Sequence, residues 1–333
     1  MRIFHILILA LAMTGCSGRT AADSTTANET VQTATNASTA DVPAFSADSA
    51  YRNIERQVAM GFRTPGSEGH ARCGQFISSE LARYGADTVI QQKATVTTHR
   101  GKQITATNIL GRFNTSAPRR ILIAAHYDTR PWADEDPDKT NHTSPIAGAN
   151  DGGSGVGVAL ELARLVGAQS PQIGVDFLFT DAEDSGAHDD AAETQNTWCL
   201  GSQYWAEYNP YTPADRPVFG IVLDMVGGKD ALFYREYFSE HIAPVINRKI
   251  WETASHLGID RFINEARGAV TDDHIYITAS GIPCIDIIEC ANPATGSFPP
   301  YWHTTSDNMD IISHDTLLDV GRVITHVIYT EKP

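Results

Sequence analysis

Four short apolar runs, Ile121–Ala125, Val175–Phe179, Val218–Val226 and Ile282–Ile288, constrain the fold of this 333-residue chain more than any other feature. Runs of that length, nearly free of polar interruption, read as strands buried on both faces. Helical periodicity stands between them at Val156–Val166 and Ile242–Leu257, and a last helical stretch covers Asp315–Tyr329. Upstream, Ile54, Val58 and Ala59, then Phe76, Ile77 and Leu81, follow an amphipathic helical pattern, and strand-like runs lie around Thr95 and over Ile104–Leu110. Strands alternating with helices predict an α/β fold: one mixed, mostly parallel central sheet flanked by helices, in a single domain over residues 47–333.

The N-terminus reads differently. Arg2, the apolar run Ile3–Met13 and Thr14-Gly15-Cys16 make a signal peptide over residues 1–15, since so few apolar residues are too short to span the bilayer. Cys16 after a small residue resembles a bacterial lipobox, which implies lipidation there; an ordinary signal peptide with an incidental cysteine is the alternative. Residues 16–46, rich in Thr, Ala, Ser and Asn, hold too little apolar surface to repay ordering and are expected to be a disordered tether. The expectation is a monomer, lipid-anchored in the cell envelope on the periplasmic side of a membrane.

Charge excludes one class of partner. Asp and Glu number 40 against 25 Lys and Arg, and no basic stripe offers a face for phosphate, so nucleic acid is not a partner. Four cysteines remain beyond Cys16: Cys73, Cys199, Cys284 and Cys290. Export permits disulfides, the spacing fixes no pairing, and Cys284 inside a strand-like run is expected to be a buried thiol.

In an open α/β sheet, functional side chains gather beyond the carboxyl ends of the strands. Metal-capable residues recur at such places here: His126 and Asp128, Asn150-Asp151-Gly152-Gly153, Asp181-Ala182-Glu183-Asp184, Asp224, and Trp302-His303-Thr304. Each alone has a plain explanation; Asp151, for instance, could cap the helix opening at Ser154. Their coincidence at every strand end points instead to carboxylates and imidazole arranged for a catalytic zinc with an open position. Glu183 beside Asp184 suits a split role, one carboxylate on metal and the other handling a proton.

This order of residues resembles the zinc aminopeptidase-like superfamily, from the Arg63-Thr64-Pro65-Gly66-Ser67 loop to the final helix. Thr271-Asp272-Asp273-His274, Asp224-Met225-Val226-Gly227-Gly228 and Phe298-Pro299-Pro300-Tyr301-Trp302-His303-Thr304 are similar to motifs of animal-type glutaminyl cyclases within it. The insert Trp132–Pro145 and Trp198-Cys199-Leu200-Gly201-Ser202 look closest to bacterial members from Bacteroidetes envelopes. The resemblance implies one zinc per chain on Asp151, Asp184 and His303, acting as Lewis acid on the γ-amide of an N-terminal Gln. It implies Glu183 as general base and acid, with Asp224 and Asp272 forming a proton-sharing pair beside it. Trp302, Phe298 and Trp198 would wall the substrate pocket. His126 and Asp128 are candidates for a second metal or for supporting the first. Animal cyclases carry Glu where this chain has Asp184, a shorter arm to the metal.

The rival is a two-zinc aminopeptidase, with His126 and Asp224 on the second metal and Glu183 activating a bridging water. A binding protein that kept the fold and lost catalysis is a third reading. The acidic cluster Asp134, Glu135, Asp136 and Asp138 reads as a solvated loop face in preference to a Ca²⁺ site, His188-Asp189-Asp190 as loop, and His142 has only nearness in sequence to commend it.

Overall fold

The structure, a computed structural model, describes residues 41–188 and 195–333. The strands are β1 (Thr88–Thr97), β2 (Gln103–Phe113), β3 (Arg120–His126), β4 (Gly174–Thr180), β5 (Gly220–Asp224), β6 (Phe233–Arg235), β7 (Phe262–Ala266) and β8 (Cys284–Ile288). Six of them form one sheet in the order β1-β2-β4-β3-β5-β8, and β6 and β7 make a separate parallel pair. β3 runs parallel to both β4 and β5, and β5 parallel to β8; β2 is antiparallel to β1 and β4. The chain therefore has the expected mixed sheet, with an antiparallel hairpin at one edge.

Side-chain alternation explains why the central strands read as continuous apolar runs. Ile121, Ile123, Val175, Phe177, Ile221, Leu223, Ile285 and Ile287 enter one core, while Leu122, Ala124, Leu178, Val222 and Cys284 enter the other. Both faces are covered, so neither parity can be polar at low cost. The first core is closed by α1 (Ala47–Ala59), α2 (Glu68–Arg83), α3 (Gly153–Ala168), α6 (Pro244–His256) and α8 (His314–Thr330); the second is closed by α4 (Leu200–Tyr208) and α7 (Asp273–Ala279). Gly155 lets α3 approach β5, since a Cβ there would lie 2.0 Å from the Leu223 carbonyl oxygen.

Two boundaries differ from expectation. The tether does not run to residue 46: Phe45 is buried, its ring seated against Gly321 of α8, and Ser46 caps α1 by accepting from the Ser49 N–H. One aromatic in a Thr- and Ala-rich stretch is diluted in any compositional window. Residues 1–40, with the signal and Cys16, lie outside the described residues. The helix expected over Ile242–Leu257 is α6, which starts two residues later at Pro244, where the missing N–H suits a first turn; a short α5 (Tyr237–Ile242) that was not expected precedes it.

Candidate metal centre and active site

His126 ends β3, Asp224 ends β5, and Asp181–Asp184 follow β4; Asp151 precedes α3, Asp272 precedes α7 and His303 lies in the loop before α8. All converge at the carboxyl edge of the sheet, where β4 and β5 diverge on either side of β3. The backbone here is forced: of the six non-glycine residues with left-handed φ among the described residues, Ala182, Cys199, Met225 and His303 are at this edge. Such conformations persist where the surrounding structure over-determines them, commonly at functional sites.

Asp151, Asp184 and His303 bring ligand atoms within 4.8 Å of one another. His303 Nε2 is 3.1 Å from Asp184 Oδ1 and 3.6 Å from Asp151 Oδ2. Asp184 is pushed well above the usual carboxylate range by burial and by Asp151, and its Oδ2 has no donor. Burial and the nearby Arg130 hold His303 well below the usual imidazole range, which favours the neutral ring a metal would need. Two buried carboxylates and a neutral imidazole, with an orphaned oxygen among them, fit a divalent cation such as Zn²⁺. Asp151 is free for this role because Gly152, not Asp151, caps α3.

His126 joins Asp151 and Asp224 in an adjoining cluster, its Nε2 3.1 Å from Asp151 Oδ1 and 3.2 Å from Asp224 Oδ1. Burial opposes a charge on this ring, but bonds to Asp128, Asp151 and Asp224 outweigh it and raise its pKa well above the ordinary value. As an imidazolium, His126 places a positive charge between the two carboxylates. Asp128 serves the loop: its two oxygens accept from the N–H groups of Glu183, 3.1 Å, and Asp184, 3.2 Å.

Glu183 is held well above the usual carboxylate range, first by burial and then by Asp272 and Asp184. A carboxyl shifted upward in this way is a stronger base than an ordinary carboxylate and is suited to taking and returning a proton. Asp272 is nearby; burial, then Asp224, raise its pKa, so the two carboxyls expected to pair are neighbours, while Asp224 is also engaged by His126 and an oxygen of Asp286 lies within 4.8 Å of one on Asp272. Burial and Asp272 push Asp286 well up, as two carboxyls in contact require. His274 stands behind them, 3.4 Å from Glu236 Oε2 and 3.7 Å from Asp286 Oδ2.

These groups floor a cavity of about 270 Å³ walled by Trp198, Phe298, Trp302 and Ile288. Phe298 stacks on Trp302 at 4.2 Å and Trp302 on the His303 ring at 3.6 Å, so the wall is continuous with the proposed ligand. Trp198 lies nearly parallel to His303 at 6.0 Å, in space that a Cβ on Gly186 would fill.

The model of peptidase family M28 matches residues 108–328. The chain belongs to that family. Among its relatives, the aminopeptidase YwaD of Bacillus subtilis is 27% identical over 84% of this chain, which spans 55% of that protein's length. The glutaminyl-peptide cyclotransferase of Bos taurus is 24% identical, covering 79% of this chain and 76% of the relative. Among solved structures, the glutaminyl cyclase of Bacteroides thetaiotaomicron, bound to N-acetylhistamine, superposes with a TM-score of 0.84 at 46% identity, covering 88% of this chain and all of the other.

In this M28 chain every residue read as ligand, base or wall is gathered at one edge. The acidic loop is not a solvated face. Asp134 accepts from Arg130 at 2.7 and 2.5 Å and approaches His303 Nδ1 at 3.6 Å, while Asp136 takes the N–H and hydroxyl of Thr305 at 2.9 and 2.6 Å. These two carboxylates tie the insert to the His303 loop, whereas Glu135 and Asp138 are exposed or only partly buried. His142 stays outside, bonded to the Asp136 carbonyl, while His188 reaches the cavity rim beside Asp134 and Glu135. Asp189 and Asp190 lie outside the described residues. Cys73, Cys199, Cys284 and Cys290 are all buried free thiols.

Sequence reasoning missed three supports. Arg63, fully buried, donates to the carbonyls of Tyr127, Ala147 and Gly148 and pins the Asp151 loop. Asp307 accepts the N–H groups of Asn150 and Asp151 at 2.8 and 3.1 Å. Arg130 reaches both the Asp184 carbonyl and the Gly186 carbonyl from beneath Trp198. Their signals were charged residues in polar loops, indistinguishable by type from solvated ones.

Proposed function

We propose that this chain is a zinc-dependent glutaminyl cyclase, an acyltransferase that converts the N-terminal Gln of peptides and proteins to pyroglutamate with release of ammonia. The carrying observation is the Phe298–Trp302–His303 stack, which walls the cavity directly beside the three candidate ligands. Likeness to the Bacteroides cyclase supports the same reading. Bound by Asp151, Asp184 and His303, zinc supplies Lewis acidity toward the γ-carbonyl oxygen of the substrate.

The protein supplies orientation and proton transfer. Trp302, Phe298 and Trp198 pack the two methylenes of the glutamine side chain, which sets the α-nitrogen against the carbonyl carbon of its own γ-carboxamide; ring closure within one residue needs no external nucleophile. Glu183 takes a proton from the α-amino group as the new C–N bond forms. It returns that proton to the amide nitrogen as the old C–N bond breaks and ammonia leaves. Asp224 orients the leaving amide. Asp272, raised first by burial and then by Asp224, is held toward its neutral form and so does not add a second full negative charge beside Glu183. The rest of the peptide stays outside the pocket, so varied second residues are accepted. We further propose that the enzyme is a monomer tethered through lipidated Cys16 to the periplasmic face of an envelope membrane.

The clustering of His126, Asp151 and Asp224 also suits a two-zinc aminopeptidase. Product analysis decides between them. A Gln-initiated peptide should keep its residue count and release ammonia, and a Leu-initiated peptide should remain intact. Release of free leucine overturns the cyclase.

A further inference from the structure

Glu183 has one protein donor for its carboxylate among the described residues. The Cys199 thiol lies 3.2 Å from Glu183 Oε1, and Oε2 takes no protein hydrogen bond. Cys199 is fully buried yet belongs to none of the apolar clusters; its polar neighbours are the carboxyls of Glu183 and Asp272. A small apolar residue would serve core packing as well, so the thiol's use is its S–H.

The backbone holds the thiol in place. The N–H groups of Cys199, Leu200 and Gly201 donate in turn to the carbonyls of Glu183, Ala182 and Asp181, at 2.9, 3.1 and 3.0 Å. The unpaired N–H groups at the start of α4 are thereby spent on the loop that carries the base. Both sides of this clasp contain a residue in the left-handed region, Ala182 at φ 54° and Cys199 at φ 55°. Trp198, one residue earlier, walls the cavity.

We infer that Cys199 is a positioning residue: its S–H fixes one oxygen of Glu183 so that the other faces the substrate nitrogen. The clasp joins base and wall in one unit, since the turn that aims Glu183 also seats Trp198. Burial, then the neighbouring Glu183, raise the thiol's pKa well above its ordinary value, so it remains an S–H donor across the working pH range. This assignment rests on Glu183 being the base.

The test uses the zinc-loaded full chain with Cys199→Ala, Cys199→Ser and Glu183→Gln. Removing the donor should lower kcat about tenfold with KM and zinc content unchanged, the scale of one lost hydrogen bond to a charged group, and serine should restore most of it. The infrared S–H stretch of Cys199, identified by its loss in Cys199→Ala, should move to higher frequency in Glu183→Gln as a charged acceptor becomes neutral. An S–H band at the same frequency in wild type and Glu183→Gln overturns the assignment, and this readout holds even if the alanine variant folds poorly. So does wild-type kcat in Cys199→Ala alongside an inactive Glu183→Gln. A fully active Glu183→Gln instead removes the base reading beneath it.

Discussion

Glu183 and Asp184 are adjacent carboxylates that the fold sends to different tasks. Asp184 turns toward Asp151 and His303, while Glu183 turns toward Cys199 and Asp272. Glu183→Gln should therefore lower turnover by about a hundredfold or more while zinc stays bound at wild-type stoichiometry, checked by elemental analysis beside the ammonia assay. Loss of zinc in that variant would make Glu183 a ligand. Asp134 makes a different prediction. Burial favours its protonated form, yet the Arg130 bond outweighs this and holds it below the usual range, as an anion that braces Arg130 and His303 Nδ1. Asp134→Asn should weaken zinc affinity by about ten- to a hundredfold in competition with a chelator, and unchanged affinity would make the contact with His303 incidental. The candidate ligands Asp151, Asp184 and His303 could be singled out in sequence because strand ends are the expected places for such residues. Asp134, Arg63 and Asp286 were not, because their partners are 169, 85 and 14 residues away in the sequence, a separation that local patterning does not encode.

At the scale of elements, the continuous apolar runs of the buried strands and the helical periodicity between them came directly from the residue pattern. What the pattern left open was how closely the layers approach. Gly155 shows the reason: it is one small residue in an apolar helix until the Leu223 carbonyl is placed against it. Gly155→Ala should push α3 from β5 and lower stability by about 2 kcal/mol, read as an earlier midpoint in urea unfolding. An unchanged midpoint would mean that the contact relaxes freely. The start of α6 at Pro244 was readable from the residue itself, since proline suits the first turn of a helix.

For the whole molecule, net charge argues against a nucleic-acid partner but does not show how the acidity is divided. Glu183, Asp184, Asp224, Asp272 and Asp286 are buried together, with every pKa raised, first by burial. Without metal, the folded chain keeps protons that the unfolded chain sheds above about pH 4. More protons are then bound in the native state, so the stability of the metal-free protein should fall as pH rises from about 5 to 8. His126 works in the same direction: its raised pKa contributes stability below its unfolded value of about 6.5, lost as pH rises through the folded value. Zinc replaces protons at the ligands, so the loaded protein should lose less stability over that range. Thermal midpoints with and without zinc at several pH values check this, and a metal-free midpoint that rises with pH contradicts it.

The account turns on one zinc held by Asp151, Asp184 and His303, with Glu183 beside it and the His126 imidazolium in place of a second ion. Titrating the metal-free chain with zinc while measuring ammonia release from a Gln-initiated peptide tests that most directly. Activity should rise to a plateau at one zinc per chain; a plateau reached only at two, with both ions bound, would contradict it.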